Sequence, residues 1–152
     1  MRTFLVVTAV VVVAAGLAQT ASGARPSTGH SLKLYLAKVK PLNAAVVVAE
    51  TSLIKAQKAG SQGSNNTNPA VARKDLNATL LHSSKALKRI VPPTALKKAH
   101  AAFVSSFVLE AQRADTRANR LRREWRAAAI RELQRAGQAV PRWVKQVRDP
   151  FA

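Results

Sequence analysis

Residues 94–137, TALKKAHAAFVSSFVLEAQRADTRANRLRREWRAAAIRELQRAG, hold no proline, and their first glycine is Gly137. Leu96, His100, Phe103, Phe107, Ala111, Ala114, Ala118, Leu121, Trp125 and Ala128 recur there at helical spacing and share one face. The Ala, Leu, Arg and Glu that dominate the stretch are strong helix formers. A single helix would be about 63 Å long at roughly 1.5 Å per residue. The alternative is a break near residues 114–118, where the inward positions are all small, giving a fourth helix and an up-down-up-down bundle. Periodicity fits both.

Working outward, Val91, Pro92 and Pro93 force extended backbone and end the preceding helix, after which Thr94 can cap the next. Upstream, Asn68 offers an N-cap and Pro69 suits a first helical position. Leu76, Leu80, Ser83, Leu87 and Ile90, with Leu81 beside them, predict a helix reaching about Ile90. Residues 61–68 are polar and turn-forming, a loop. Before them, Leu32, Val39, Val46 and Leu53 recur every seven residues, and Tyr35, Leu42, Ala49 and Ala56 fill the second seam position. Ser31 is the expected N-cap of this first helix. Pro41 inside it predicts a kink near residues 39–40 or a separate short helix.

The fold class is therefore all-α: a three- or four-helix antiparallel bundle over residues 31–139 with a long Arg-rich C-terminal helix. A flexible lead-in covers residues 25–30, and a short amphipathic tail residues 140–152. The expected core is Leu32, Val39, Val46, Leu53, Leu76, Leu80, Leu87, Ile90, Phe103, Phe107, Leu121 and Trp125. Ala supplies 23 of residues 25–152, so the helices should be thin, closely packed and of modest stability.

Residues 1–24 have the layout of a secretory signal peptide. Arg2 precedes an apolar run over residues 4–17, and Ala21, Ser22, Gly23 and Ala24 follow. As a helix, residues 4–17 span about 21 Å, short of the roughly 30 Å hydrocarbon core. An uncleaved membrane helix is the competing reading. With no cysteine there is no disulfide, thiolate metal site or lipid-anchor thiol. The expected destination is secretion or the cell envelope.

The 152 residues carry 25 Lys and Arg against 7 Asp and Glu, a net charge of +18. Residues 111–152 alone hold ten Arg and one Lys against four acids. With Leu121 set at 0° on a continuous helix, Arg113, Arg117, Arg120, Arg131 and Arg135 fall between about 260° and 320°, flanking the apolar face. Their i,i+4 repulsions go largely uncompensated within the stripe. The stripe is thus the candidate anion-binding site, for anionic lipid or cell-wall polymer. The alternative is a structural or protein-binding module whose charge is incidental. Nucleic acid should bind in vitro. It is not the expected physiological partner, given the export signal and the absence of recognisable nucleic-acid-binding spacings.

In the tail, Trp143, Val144, Val147 and Phe151, with Val140, lie beside Arg142, Lys145 and Arg148. A membrane-active tail is one reading; folding back onto the bundle is the preferred one. His100 sits between Leu96 and Phe103 with no acid at i±3 or i±4, which predicts a packed, hydrogen-bonded histidine. His82 beside Ser83 and Ser84 cannot form a triad so close in sequence. Glu110 and Glu132 flank the core face too far apart to act as a pair unless the helix breaks. No cofactor, metal or catalytic residue is expected. Asn65-Asn66-Thr67 and Asn77-Ala78-Thr79 match the glycosylation triplet, which matters only in a eukaryotic secretory route.

Tyr35-Leu36-Ala37-Lys38-Val39-Lys40-Pro41-Leu42, followed by Val91-Pro92-Pro93-Thr94-Ala95-Leu96-Lys97-Lys98-Ala99-His100, resembles small exported α-helical proteins of unknown function from actinobacteria. Those show a Tyr-to-Pro-Ile/Leu opening helix and a later Pro-Pro-x-x-Leu-x-x-x-His helix start. Many carry a cysteine in the first helix, which this chain lacks. The resemblance implies a helical bundle and supplies no active-site residues.

Overall fold

The computed structural model describes residues 28–61 and 68–147. Residues 1–24, expected as a signal peptide, and Phe151 lie outside them. Among the described residues there are helices and no strand. Helix α1 is Thr28–Ser61, α2 Pro69–Lys88, α3 Lys97–Ala111, α4 Asp115–Arg135 and α5 Arg142–Lys145, with a 3-10 turn at Thr94–Leu96. α1 lies along α2, α2 along α3 and α3 along α4. Ser83 Oγ reaches the Leu42 carbonyl, and Gly60 faces Pro69, so α1 and α2 run antiparallel. Connections of a few residues reverse the chain again after α2 and after α3. The result is an up-down-up-down helical bundle.

The expected seams are buried. Leu32, Val39, Val46 and Leu53 of α1 meet Leu76, Leu80 and Leu87 of α2 and Leu96, Phe103 and Phe107 further on. Leu36, Val104, Ala129 and Leu133 join them. α1 is one continuous helix through Pro41, so the separate short first helix does not occur. Pro41 and Ala37, whose carbonyl loses its i+4 N–H, are both exposed, so water can satisfy that oxygen. α1 also begins at Thr28, inside the expected lead-in and ahead of Ser31. Gly29 lies against the Gln138 side chain near the end of α4. Asn68 caps α2 as expected, its side chain accepting from Ala70 N–H. Thr94 opens the 3-10 turn instead of capping α3 with its side chain.

The long Arg-rich helix is broken after Ala111, close to the residues where a break was one of two expectations. Ala114 N–H bonds the Leu109 carbonyl and Arg113 N–H the Glu110 carbonyl, the two bonds of a Schellman ending. Gln138 and Gly137 close α4 onto Leu133 and Gln134 in the same way. At α4 the left-handed position is Gly137, at φ 62°; at α3 it is Arg113, at φ 61°. A non-glycine residue there carries strain of about 1 kcal/mol, and its bulk leaves no glycine signal in the sequence.

α4 is also rotated relative to the expected face. Ala118, Arg122, Trp125, Ala129 and Leu133 point inward. On the scale that sets Leu121 at 0°, their centre lies near 80°. Leu121 is therefore only half-buried, at the edge of a groove, and so is Ile90 at the end of α2. The Trp125 ring stacks on Phe103 at 4.4 Å, which draws the largest side chain of α4 to the centre.

Candidate functional site

Two polar clusters lie inside this core. In the first, the Trp125 indole N–H donates to Tyr35 Oη at 3.0 Å. Tyr35 O–H in turn donates to His100 Nδ1 at 2.9 Å. A carbonyl can only accept, so the His100 Nε2–H donates to the Leu87 carbonyl at 3.2 Å. That fixes His100 as the neutral Nε2–H tautomer. Burial lowers its pKa, the Leu87 bond opposing. Burial also pushes the Tyr35 hydroxyl up to about 12, against the bond from Trp125. This run of hydrogen bonds ties α1, α2, α3 and α4 at one level. His100 is the packed, bonded histidine that its neighbours in sequence predict.

In the second cluster Arg122 Nη1 donates to Glu50 Oε1 at 2.9 Å, and Nη2 bonds Glu110 Oε2. The guanidinium carbon also sits 4.9 Å over the Phe107 ring. The Arg122 and Glu110 side chains are each 4% exposed. One guanidinium thus serves two carboxylates. Burial pushes the Glu110 carboxyl up to about 7, Arg122 pulls against it, and the charge of Glu50, a hydrogen bond with Glu50 and the charge of Asp115 push it further up. Burial thus favours the neutral form of Glu110, while Arg122 bonds both carboxyl groups. The helix break lets Glu110 face Arg122, but Glu132 does not join it: Glu132 pairs with Arg135 at the surface.

This clamp was missed from sequence. Arg122 reads as one more cation in a solvated helix. The available signal was Glu50, the only acid in α1, set three residues before the seam residue Leu53. A cavity of about 210 Å³ lined by Asn43, Val46, Glu50, Thr51, Ile54 and Arg122 opens beside it.

The clamp predicts an unusual pH response. The folded state holds the Glu110 proton up to about 7, whereas the ordinary carboxyl value is 4.5. Between those values the folded chain binds more protons than the unfolded chain, so this group's contribution falls as pH rises and is flat above about 7. His100, lowered by burial, acts oppositely as pH falls. The difference between wild type and Glu110→Gln isolates the acid. Urea midpoints at pH 5 to 8 should show Gln gaining on wild type as pH rises. A difference that is constant with pH contradicts the shift.

Arg117, Arg120, Arg131 and Arg135 are exposed on α4. The helix rotation puts them on its outer side, about 145° from the buried face, instead of flanking it. Arg113 is exposed but sits in the break and belongs to no stripe on α4. Arg120 pairs with Glu124 at 3.8 Å and Arg135 with Glu132 at 2.6 Å. Among the described residues Arg117 and Arg131 have no carboxylate partner.

In the tail, Val144 and Val147 are buried in the core cluster, and Trp143 packs 6.0 Å from Trp125. Arg126 holds the Val147 carbonyl at 3.2 Å. In this fold Val144 and Val147 are buried in the bundle and Trp143 packs half-buried against it, the folded-back arrangement preferred above. No described helix is long and apolar enough to cross a membrane. No group of three or more metal-ligating side chains occurs among the described residues. No family model, curated protein or solved structure matches the chain.

Proposed function

We propose that this protein is exported and acts without catalysis, binding anionic material of the cell envelope through the outer face of α4. The observation that carries this reading is the contrast between two kinds of arginine on one helix. Arg122, turned inward, is clamped by two carboxylates. Arg117, Arg120, Arg131 and Arg135, turned outward, present four guanidinium groups with only Glu124 and Glu132 beside them. At a net charge of +18 the long-range field favours any polyanion. The signal-like residues 1–24 direct the choice to acidic lipid headgroups or wall polymer, with nucleic acid a ligand only in the test tube.

Attraction of this kind is screened, because counterions return to both surfaces as salt rises. Four phosphate contacts imply a loss of about a hundredfold in affinity between 50 and 200 mM salt. Binding to anionic vesicles and to wall extract should be measured across that range. The comparison is between wild type and a variant with Arg117, Arg120, Arg131 and Arg135 changed to Gln. The variant should lose most of the binding and most of the salt dependence, while Arg113→Gln alone changes little. Equal binding by the four-Gln variant would make the stripe a solvated face only.

A further inference from the structure

The rotation that buries Arg122 leaves Leu121 half-buried at the mouth of a groove between α3 and α4. Ala101, Ala102 and Ser105 of α3 are too small to fill the space opposite, and Val104, Val108 and Leu109 line the rest. The groove has a volume of about 480 Å³. From Ala101 to Leu109 it follows α3 for about 12 Å. Among the described residues its charged lining is Lys88 and Arg117. Two further cavities each carry a carboxylate, Glu50 in one and Glu132 in the other.

The two cations stand at opposite ends. His100 bonds the Leu87 carbonyl, which sets Lys88 beside the start of α3. Arg117 lies in the first turn of α4, just past the break that follows Ala111. Arg117 is therefore both the cation at one end of the groove and a member of the outer stripe.

We propose that this groove takes a single acyl chain of an anionic lipid, with the acidic headgroup on Arg117 and the chain lying over Leu121 and Val108 toward Lys88. This deepens the envelope-binding reading and rests on it. The stripe meets the negative surface, and the groove beside Arg117 selects material carrying a hydrocarbon chain over a bare polymer. The walls supply apolar area without a competing acid, and the long Lys88 stem can cover the far end of the chain while its ammonium stays in water.

The test uses the full chain and titration calorimetry with octyl phosphate, butyl phosphate and inorganic polyphosphate. Wild type, Ala101→Trp, Arg117→Gln and Arg131→Gln carry the same N-terminal apolar run, so differences among them read the groove and stripe alone. Ala101 is exposed, so the indole can block the groove without entering the core. Octyl phosphate should bind wild type at least tenfold more tightly than butyl phosphate, since four more methylenes leave water. Ala101→Trp should weaken octyl phosphate at least tenfold and leave polyphosphate unchanged. Arg117→Gln should weaken octyl phosphate about threefold, and Arg131→Gln should not. Equal affinity for the two alkyl phosphates, an unaffected Ala101→Trp, or equal losses from the two Gln variants overturns the groove. Loss of polyphosphate binding by neither Gln variant, with octyl phosphate behaving as expected, instead removes the stripe and leaves the groove.

Discussion

Arg122→Leu is expected to destabilise the fold by about 3–5 kcal/mol at pH 8, because it leaves buried carboxylates without their counter-charge. Arg122 is 3% exposed and bonds both Glu50 and Glu110. Its removal also takes the guanidinium from the Phe107 face. The penalty should shrink at pH 5. There Glu110, already pushed up to about 7 with Arg122 present, is protonated and its buried charge is gone. A triple variant, Arg122→Leu with Glu50→Gln and Glu110→Gln, should recover most of the loss, since removing all the charges avoids the orphaned acids. Urea unfolding followed by circular dichroism at both pH values reads this. A single-variant loss that is the same at pH 5 and pH 8, or a triple variant no more stable than the single one, contradicts a charge clamp.

The same residue shows where reading the sequence stops. Seven-residue recurrence found the α1 seam, and Leu76, Leu80 and Leu87 marked α2, because an apolar stripe can be satisfied only by burial. Pro92, Pro93 and Asn68 marked the turns through backbone sterics alone. In α4 the apolar residues are sparse, and Ala, which fits either face, leaves the phase of the helix undetermined. Trp125 and Leu133 face inward while Leu121 slips to an edge. What fixes the phase is the pairing of Arg122 with acids that lie 12 and 72 residues away in the chain. No periodicity contains that information. The break after Ala111 stayed one of two readings for a related reason: the residue that takes the left-handed turn is Arg113, where the usual signal is glycine.

The candidate anion surface was legible as composition and misplaced as geometry. The five arginines chosen by angle assumed an unbroken helix, which α3 and α4 are not. The four that remain on α4 do share its outer side, because the 3.6-residue period holds within one helix whatever its rotation. The groove beside Leu121 was illegible, since it exists only through the offset between the expected and actual faces.

Phe103→Ala is expected to cost about 3–5 kcal/mol, the usual range for emptying a buried aromatic site. Phe103 is 0% exposed and lies between the Trp125 ring, stacked at 4.4 Å, and Phe107 at 4.9 Å. The neighbours cannot collapse into the void cheaply. Trp125 is held by its indole bond to Tyr35, Tyr35 by His100, and His100 by the Leu87 carbonyl, so moving the indole breaks a chain of buried hydrogen bonds. Domains of this size have about 5–15 kcal/mol in total, so the variant should melt far below wild type. Its near-ultraviolet dichroism should weaken even in the cold as the Trp125 environment loosens. Phe103→Leu keeps most of the volume and should cost less than about half as much. Wild-type melting by Phe103→Ala would place the aromatic cluster outside the core and remove the layer on which the rotation of α4, and with it both the clamp and the groove, depends.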